Sequence, residues 1–147
     1  MAIRYFDLEH AIETHNLTVD VSGGGEKGAI NPGQLESVLE NIRNDDWYPT
    51  FEDKLTHLFF CACSFHCFVD GNKRIAISLG AEFLLFNGYV FIAGRFIRYM
   101  ENISYHVAAG KIDKDLLHRI ICALLDAKEE DESLKLEIYN AIKDDEG

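Results

Sequence analysis

The nine residues from His66 to Arg74 include the side chains best suited to chemistry. His66 follows Phe59 and Ala62 at helical spacing, so packing could orient its imidazole and leave it open as a general base. Asp70 is a lone carboxylate. Such a ligand suits Mg²⁺, whose coordination is completed by substrate phosphates, better than it suits Zn²⁺ or Ca²⁺. Taken singly, the histidine would be interpreted as a core residue and the aspartate as a turn residue.

The second half of this segment has the composition of a phosphate-binding site. Gly71 and Asn72 permit positive φ angles, so consecutive backbone N–H groups can converge on an anion. A helix that starts there adds unpaired N–H groups and the positive end of its dipole. Lys73 and Arg74 bring two positive charges to the same point, and we interpret Phe68 as an apolar anchor for the loop. Together with the imidazole and the carboxylate, these residues predict a site that handles phosphate.

Two predicted helices position this segment. The helix before it has Thr50 as N-cap with Asp53 three residues on, a short form of the capping box. Its sequence is apolar on nearly all sides from Leu58 to Phe68, which predicts a central, buried helix. The helix after it starts near Lys73 and ends with Gly88 as its C-cap.

The rest of the chain predicts an all-α bundle. An amphipathic helix begins at Leu8 with Asp7 as N-cap, and a second begins at Pro32. Tyr89 to Arg95 is predicted to be a short extended link. Further helices are expected at about 96–109, 113–127 and 132–143, and the acidic stretches at 129–132 and 143–147 are expected to be solvated. The glycine-rich residues 22–28 predict a loop or hairpin.

Composition limits the class of protein. The chain has 147 residues, of which 48% are hydrophobic and 27% charged, and we expect a single domain over 1–147. Its net charge of −11 argues against binding to nucleic acid or to an anionic membrane. The N-terminus lacks the pattern of a signal peptide, so we expect a cytoplasmic protein.

The side chains outside the segment carry no second chemical pattern. The cysteines do not have zinc-binding spacing, so reduced, buried thiols are expected at Cys61, Cys63, Cys67 and Cys122. The remaining histidines lack comparable neighbours, and surface or packing roles are expected for His10, His15, His57, His106 and His118.

The segment resembles the motif of the Fic/Doc family, His-x-Phe-x-Asp/Glu-Gly/Ala-Asn-Gly/Lys-Arg. Three further stretches resemble the death-on-curing (Doc) toxins within that family: Gly33–Leu39, Tyr48–Thr50 and Phe83–Tyr89. The likeness covers roughly residues 5 to 125, and it is closest to the Doc branch.

The resemblance implies the all-α Fic fold with a short β-hairpin flap, which maps onto about 21–31. It also implies transfer of a phosphate, or of part of a nucleotide, from ATP to a protein hydroxyl. His66 would deprotonate a Ser, Thr or Tyr hydroxyl, and Asp70 would hold Mg²⁺. Gly71, Asn72 and the helix N-terminus would bind phosphate oxygens, and Arg74 would neutralise their charge.

Two differences from the AMP-transferring Fic proteins favour the reaction of the Doc toxins, which is transfer of the γ-phosphate. Those proteins have glycine where this chain has Lys73, and a second arginine where it has Ile77. The lysine variant is similar to Doc, which binds ATP in the reversed sense and transfers the γ-phosphate. The resemblance therefore implies a toxin that phosphorylates a Ser or Thr of a target protein, with elongation factor Tu as the natural target and a small antitoxin as partner.

Two alternatives stay open on the sequence. One is AMP transfer by a Fic-type adenylyltransferase, and the other is a non-catalytic interaction module with the Fic fold. Residues 133–138 fit the first half of the inhibitory Ser/Thr-x-x-x-Glu-Gly/Asn motif of some Fic proteins, but Ile138 departs from it. We therefore expect Glu137 to lie on a packing or solvated helix, and we expect control by a separate protein.

Overall fold

The structure is a computed structural model that describes residues 2–21, 32–64 and 72–143, apart from the side chains of 18–21 and 72. Within these ranges the chain forms seven helices and no strand: α1 (Leu8–Val21), α2 (Pro32–Asn41), α3 (Phe51–Ser64), α4 (Asn72–Phe86), α5 (Val90–Ala108), α6 (Lys114–Leu125) and α7 (Glu132–Ile142). The predicted all-α fold is confirmed. Val21 is the last residue of α1, and the rest of the predicted flap lies outside the described residues. None of these helices is long and apolar enough to cross a bilayer.

The predicted helix caps are present. The Oδ1 atom of Asp7 accepts a hydrogen bond from the backbone N–H of His10 at 2.9 Å. At the start of α3, the N–H of Thr50 donates to Asp53 Oδ2 at 3.2 Å, and the N–H of Asp53 donates to Thr50 Oγ1 at 3.1 Å. Gly88 follows α4 with a φ of 88°, the left-handed conformation that glycine adopts without strain. Local sequence therefore determines where these helices begin or end.

Helix α3 lies at the centre of the described bundle, as predicted. It packs against α2, α4, α5 and α6. Most of its apolar side chains, including Leu55, Leu58, Phe59 and Ala62, are buried, whereas Phe51 and Phe60 are partly buried. Burial on several sides explains why the sequence of this helix is apolar nearly all round.

A buried lysine connects α3 to the turn before it. The ammonium of Lys54 is inaccessible to solvent and donates to the backbone oxygen of Ile42 and to Asp45 Oδ1, both at 2.7 Å. It also lies 5.8 Å from the centroid of the Tyr5 ring. Because a buried charge without partners is costly, these contacts fix the path of the turn between α2 and α3.

The expectation of an extended link over 89–95 is wrong. Helix α5 begins at Val90, and Tyr89 is its N-cap residue. The aromatic and β-branched residues at its start favour extended structure locally. Ala93 and Phe96, three residues apart, are buried against the core, and α5 packs along α4. Tertiary burial therefore outweighs local propensity at this position.

The expectation that the acidic run at 129–132 is solvated is wrong at its first residue. Glu129 is buried, and its carboxylate forms an ion pair with the guanidinium of Arg95 on α5. The backbone oxygen of Glu129 also accepts a hydrogen bond from the Tyr99 hydroxyl at 3.4 Å. A carboxylate can be buried here because a cation 34 positions earlier in the chain neutralises it.

Close packing of α4 on α5 at Gly80 gives a testable prediction. A Cβ atom at Gly80 would lie 2.6 Å from Cζ and 2.7 Å from Cε1 of Phe96, whose ring is fully buried. We expect Gly80→Ala to destabilise the protein by about 1–2 kcal/mol, because overpacking exceeds the gain in helix propensity. In a Phe96→Leu background the same change should be neutral or stabilising. Urea unfolding of the four proteins measures this coupling, and an equal effect in both backgrounds would contradict it.

Candidate functional site

Only part of the predicted site falls within the described residues. Asn72 is the first residue of α4, although its side chain is not described, and Lys73 and Arg74 lie in the first turn of that helix. Four predicted site residues lie outside the described residues: His66, Phe68, Asp70 and Gly71. The described part of the site therefore consists of the two helices that flank the motif.

The end of α3 and the start of α4 lie close together. The two helices pack against each other. Burial raises the pKa of the Cys63 thiol to about 12, and the ammonium of Lys73 acts against this rise. The charge of Lys73 therefore affects the pKa of a thiol in the last turn of α3. The thiol of Cys63 stays protonated at neutral pH and is unsuited to act as a nucleophile.

The first turn of α4 concentrates positive charge. Lys73 and Arg74 are both exposed, and the first turn contains no acidic residue. Helix α4 is 15 residues long, so its N-terminal N–H groups present the positive end of a substantial dipole. Two cations at a helix N-terminus are suited to bind phosphate oxygens.

A groove begins at Arg74 and runs along α4. Its volume is about 560 Å³, and it lies between α1, α4 and α5. Leu17, Leu85 and Ile97 are 64%, 49% and 49% exposed, which is unusual for apolar side chains that lie together. The full lining is Thr14, Leu17, Arg74, Ile77, Ser78, Ala81, Glu82, Leu85, Ile97 and Glu101. We call this the α1–α4–α5 groove.

One pattern in the sequence relates to this groove. Ile77, Ala81 and Leu85 recur every four residues on α4, beside the set of residues that faces the core. Only the structure shows that Ala81 in this stripe is buried and Ile77 partly buried, whereas Leu85 is exposed. The groove was not predicted because it needs α1 and α5 as its other walls.

A polar network forms one side of the groove. The Glu82 carboxylate pairs through Oε2 with Nε2 of His10, and its Oε1 accepts a hydrogen bond from the Thr14 hydroxyl at 2.8 Å. Both partners belong to α1, so one carboxylate connects α1 to α4. The contact agrees with the surface or packing role that the sequence predicts for His10.

A second polar cluster lies between α3, α6 and the turn before α3. The His57 ring stacks on the Tyr48 ring with centroids 4.4 Å apart. The Lys114 ammonium donates to His57 Nδ1 at 2.7 Å, so the imidazole is neutral and accepts at that nitrogen. One turn away, the Nε2 atom of His118 lies 2.8 Å from Asp53 Oδ1. The sequence predicts surface or packing roles for these two histidines and does not indicate that they lie close together.

The neutral histidine makes stability depend on pH. Burial, and then the charge of Lys114, lower the pKa of His57 from 6.5 to about 4. As the pH falls below about 6.5, His57 in the unfolded chain therefore binds a proton, whereas His57 in the folded chain binds one only near about pH 4. The contribution of the neutral His57 to folding stability is complete above pH 6.5 and is lost towards pH 4. Because the ring is half-exposed, screening by solvent reduces this contribution to folding stability to about 1–2 kcal/mol.

We expect the native protein to lose about 1–2 kcal/mol more stability than His57→Gln between about pH 7 and pH 4. Glutamine keeps an acceptor for Lys114 but does not titrate. Denaturant unfolding of both proteins across this range measures the difference. Parallel pH profiles would contradict the assignment.

Several other predicted features can be placed. The Glu137 carboxylate pairs with the guanidinium of Arg119 on α6, with both side chains about half exposed. Within the described residues, no disulfide joins Cys61, Cys63 or Cys122. The first two are buried, as expected, whereas Cys122 is only half-buried; Cys67 lies outside the described residues. Among the described residues, no group of three or more His, Cys, Asp or Glu side chains is arranged to hold a metal ion.

The chain matches a known protein family. The model of the Fic/DOC family matches residues 5–84. The matched region is more than half of the chain, and it runs from the segment before α1 into α4. It therefore contains the whole motif from His66 to Arg74. The search of curated proteins finds no match.

Proposed function

This chain belongs to the Fic/DOC family, whose members usually transfer phosphate or nucleotide groups to proteins, and we propose that it transfers the γ-phosphate of ATP to a Ser or Thr hydroxyl of a target protein. On this proposal it is a Doc-like toxin that acts in the cytoplasm and is controlled by a small antitoxin. Elongation factor Tu is the proposed target.

One observation carries the proposal. The first turn of α4 presents Lys73 and Arg74 to solvent at the positive end of a 15-residue helix. In a chain of net charge −11, this concentration of cations is a local exception that attracts a polyphosphate.

The proposed chemistry divides between positioning and proton transfer. His66 takes the proton of the target hydroxyl, whose oxygen forms a bond to the γ-phosphorus. The bond from that phosphorus to the β,γ-bridging oxygen breaks, and ADP leaves. Gly71, Asn72 and the α4 N-terminus bind the phosphate oxygens, while Arg74 neutralises charge that develops on them.

The residues fit a magnesium ion supplied with ATP. Asp70 offers one carboxylate, and Mg²⁺ typically takes one or two carboxylates with water and substrate phosphates. When bound, the ion would neutralise charge on the phosphates. The cations on α4 share that task, so a single protein carboxylate is sufficient.

Residues on α4 support phosphate transfer over AMP transfer. Lys73 places an ammonium where the AMP-transferring proteins leave space beside glycine. Ile77, one turn later, lines the α1–α4–α5 groove and offers no charge to a second phosphate group. One compact charge near the motif and an apolar side chain beyond it favour the reversed orientation of ATP.

The α1–α4–α5 groove supports control by a small antitoxin. It begins at Arg74 and exposes Leu17, Leu85 and Ile97. An amphipathic helix with apolar residues at i, i+3 and i+4 would cover these side chains. An antitoxin segment bound there would also block access to the cations on α4.

Labelled ATP tests the reaction directly. The protein is incubated with Mg²⁺, a cell lysate or purified elongation factor Tu, and ATP labelled at either the α- or the γ-phosphate. We expect only the γ-label to reach protein. Transfer of the α-label alone would show AMP transfer, and transfer of neither label would favour the non-catalytic module.

The same assay on Lys73→Gly tests the role of the lysine. Because the substitution empties the space beside the motif and removes one charge, we expect weaker γ-transfer. Unchanged γ-transfer would mean that the lysine does not set the orientation of ATP.

A further inference from the structure

A cavity of about 460 Å³ opens between α3, α6 and the turn before α3. Its lining residues are Trp47, Tyr48, Asp53, Thr56, Lys114, Asp115 and His118. Thr56 is eight residues before Ser64, the last residue of α3, and therefore roughly 12 Å from it along the helix axis. The cavity is thus at the other end of α3 from the proposed phosphate site, and the proposed reaction does not use it.

The cavity contains one cation that no carboxylate neutralises within the described residues. Lys114 has three N–H donors, and the hydrogen bond to neutral His57 uses one of them. The nearby Asp53 carboxylate is already engaged, with Oδ1 beside His118 and Oδ2 accepting from the N–H of Thr50. The ammonium is therefore available to an acceptor group on a ligand.

Part of the cavity lining is aromatic, and the Lys114 ammonium lies 5.4 Å from the centroid of the Tyr48 ring. The Trp47 side chain is 67% exposed, and Tyr48 beside it is held by its stack on His57. The buried Lys54 fixes the turn that carries both residues. Aromatic side chains beside a cation suit a flat ring that carries an anionic group.

We propose that this cavity binds a small aromatic carboxylate. The ring lies against Trp47 and Tyr48, and the carboxylate accepts hydrogen bonds from Lys114. A single negative charge matches the single cation. A phosphate dianion fits less well, because the exposed Asp115 also borders the cavity. The volume lies within the range that is usual for small-molecule sites.

The one tryptophan of the chain reports binding at this site. The full-length protein is titrated with benzoate, with acetate, which has the charge without the ring, and with benzyl alcohol, which has the ring without the charge. We expect a saturable change in Trp47 emission with benzoate, at millimolar concentration. Acetate and benzyl alcohol should bind at least about tenfold more weakly. No saturable change with benzoate, or an equal response to benzyl alcohol, would overturn the proposal.

Two substitutions should act in opposite directions. Lys114→Met keeps most of the stem and should weaken benzoate binding at least about tenfold. Asp115→Asn, at an exposed position, should strengthen it about two- to threefold by removing repulsion. Lys128→Met, at an exposed position outside the cavity lining, is the matched control and should leave the affinity unchanged. Unchanged affinity in both cavity variants would overturn the proposal. If Lys114→Met alters the fold, unchanged affinity in Asp115→Asn alone would overturn it.

A fourth variant separates this site from the proposed reaction. Arg74→Gln should bind benzoate with the native affinity, because the cavity does not include α4. Loss of benzoate binding in that variant would show that the emission change reports the phosphate site, and it would overturn the proposal. Absence of ATP-dependent labelling in the native protein would overturn the proposed function and leave this site standing.

Discussion

Replacing His66 by alanine should lower transfer of the γ-label by about 10²- to 10⁴-fold, the usual contribution of a general base. The proposed base removes the proton of the target hydroxyl as its oxygen bonds to phosphorus. Alanine leaves the phosphate-binding cations in place, so ATP should still bind. Initial rates of label transfer and the apparent KM for ATP measure this separation, with kcat falling and KM nearly constant.

The matched control is His106→Gln. His106 lies in the last turn of α5, is half-buried, and has no place in the proposed machinery. Its substitution should leave transfer near the native rate. Thermal unfolding should show that the His66→Ala protein is folded. Transfer that survives in a folded His66→Ala protein would mean that another group acts as the base.

Replacing Arg74 by glutamine should lower γ-transfer by about 10²- to 10³-fold. The guanidinium is exposed in the first turn of α4, where it can stabilise charge on the transferring phosphate. Glutamine keeps a hydrogen-bond donor and removes the charge, so the loss should be larger in kcat than in the affinity for ATP. Steady-state kinetics with γ-labelled ATP checks this split.

Arg98→Gln is the matched control for charge. Arg98 is an exposed arginine in the middle of α5, so its loss changes the net charge of the chain equally. It should leave transfer unchanged. An equal reduction in both variants would show that the effect comes from long-range electrostatics, and it would remove Arg74 from the proposed machinery.

The features predicted correctly from sequence depend on neighbours along the chain. The capping box of Thr50 and Asp53 joins residues three positions apart, and the turn at Gly88 needs only a residue that tolerates positive φ. The burial of α3 follows from its own apolar composition. Each of these patterns is complete within one helix or turn.

The features that were missed depend on residues distant in sequence. Val90 begins a helix because Phe96 and the rest of α5 pack on α4, which no local pattern shows. Glu129 is buried because Arg95 reaches it from another helix. The pairing of Lys114 with His57 joins positions 57 residues apart. These contacts depend on how the helices pack in the folded protein, which local sequence does not show.

The arrangement of α3 and α4 has a consequence for how the reaction could diversify. Buried side chains hold the two helices on both sides of residues 65–71, with Cys63 near the end of α3 and Ile75 near the start of α4. On the proposed function, the base and the metal ligand belong to residues 65–71, whereas Lys73 and Ile77, which favour one orientation of ATP, belong to α4. The proton acceptor and the choice of transferred group can therefore be changed independently. On the proposed function, a descendant could change the transferred group by substitutions on α4 and retain the general base and the metal ligand.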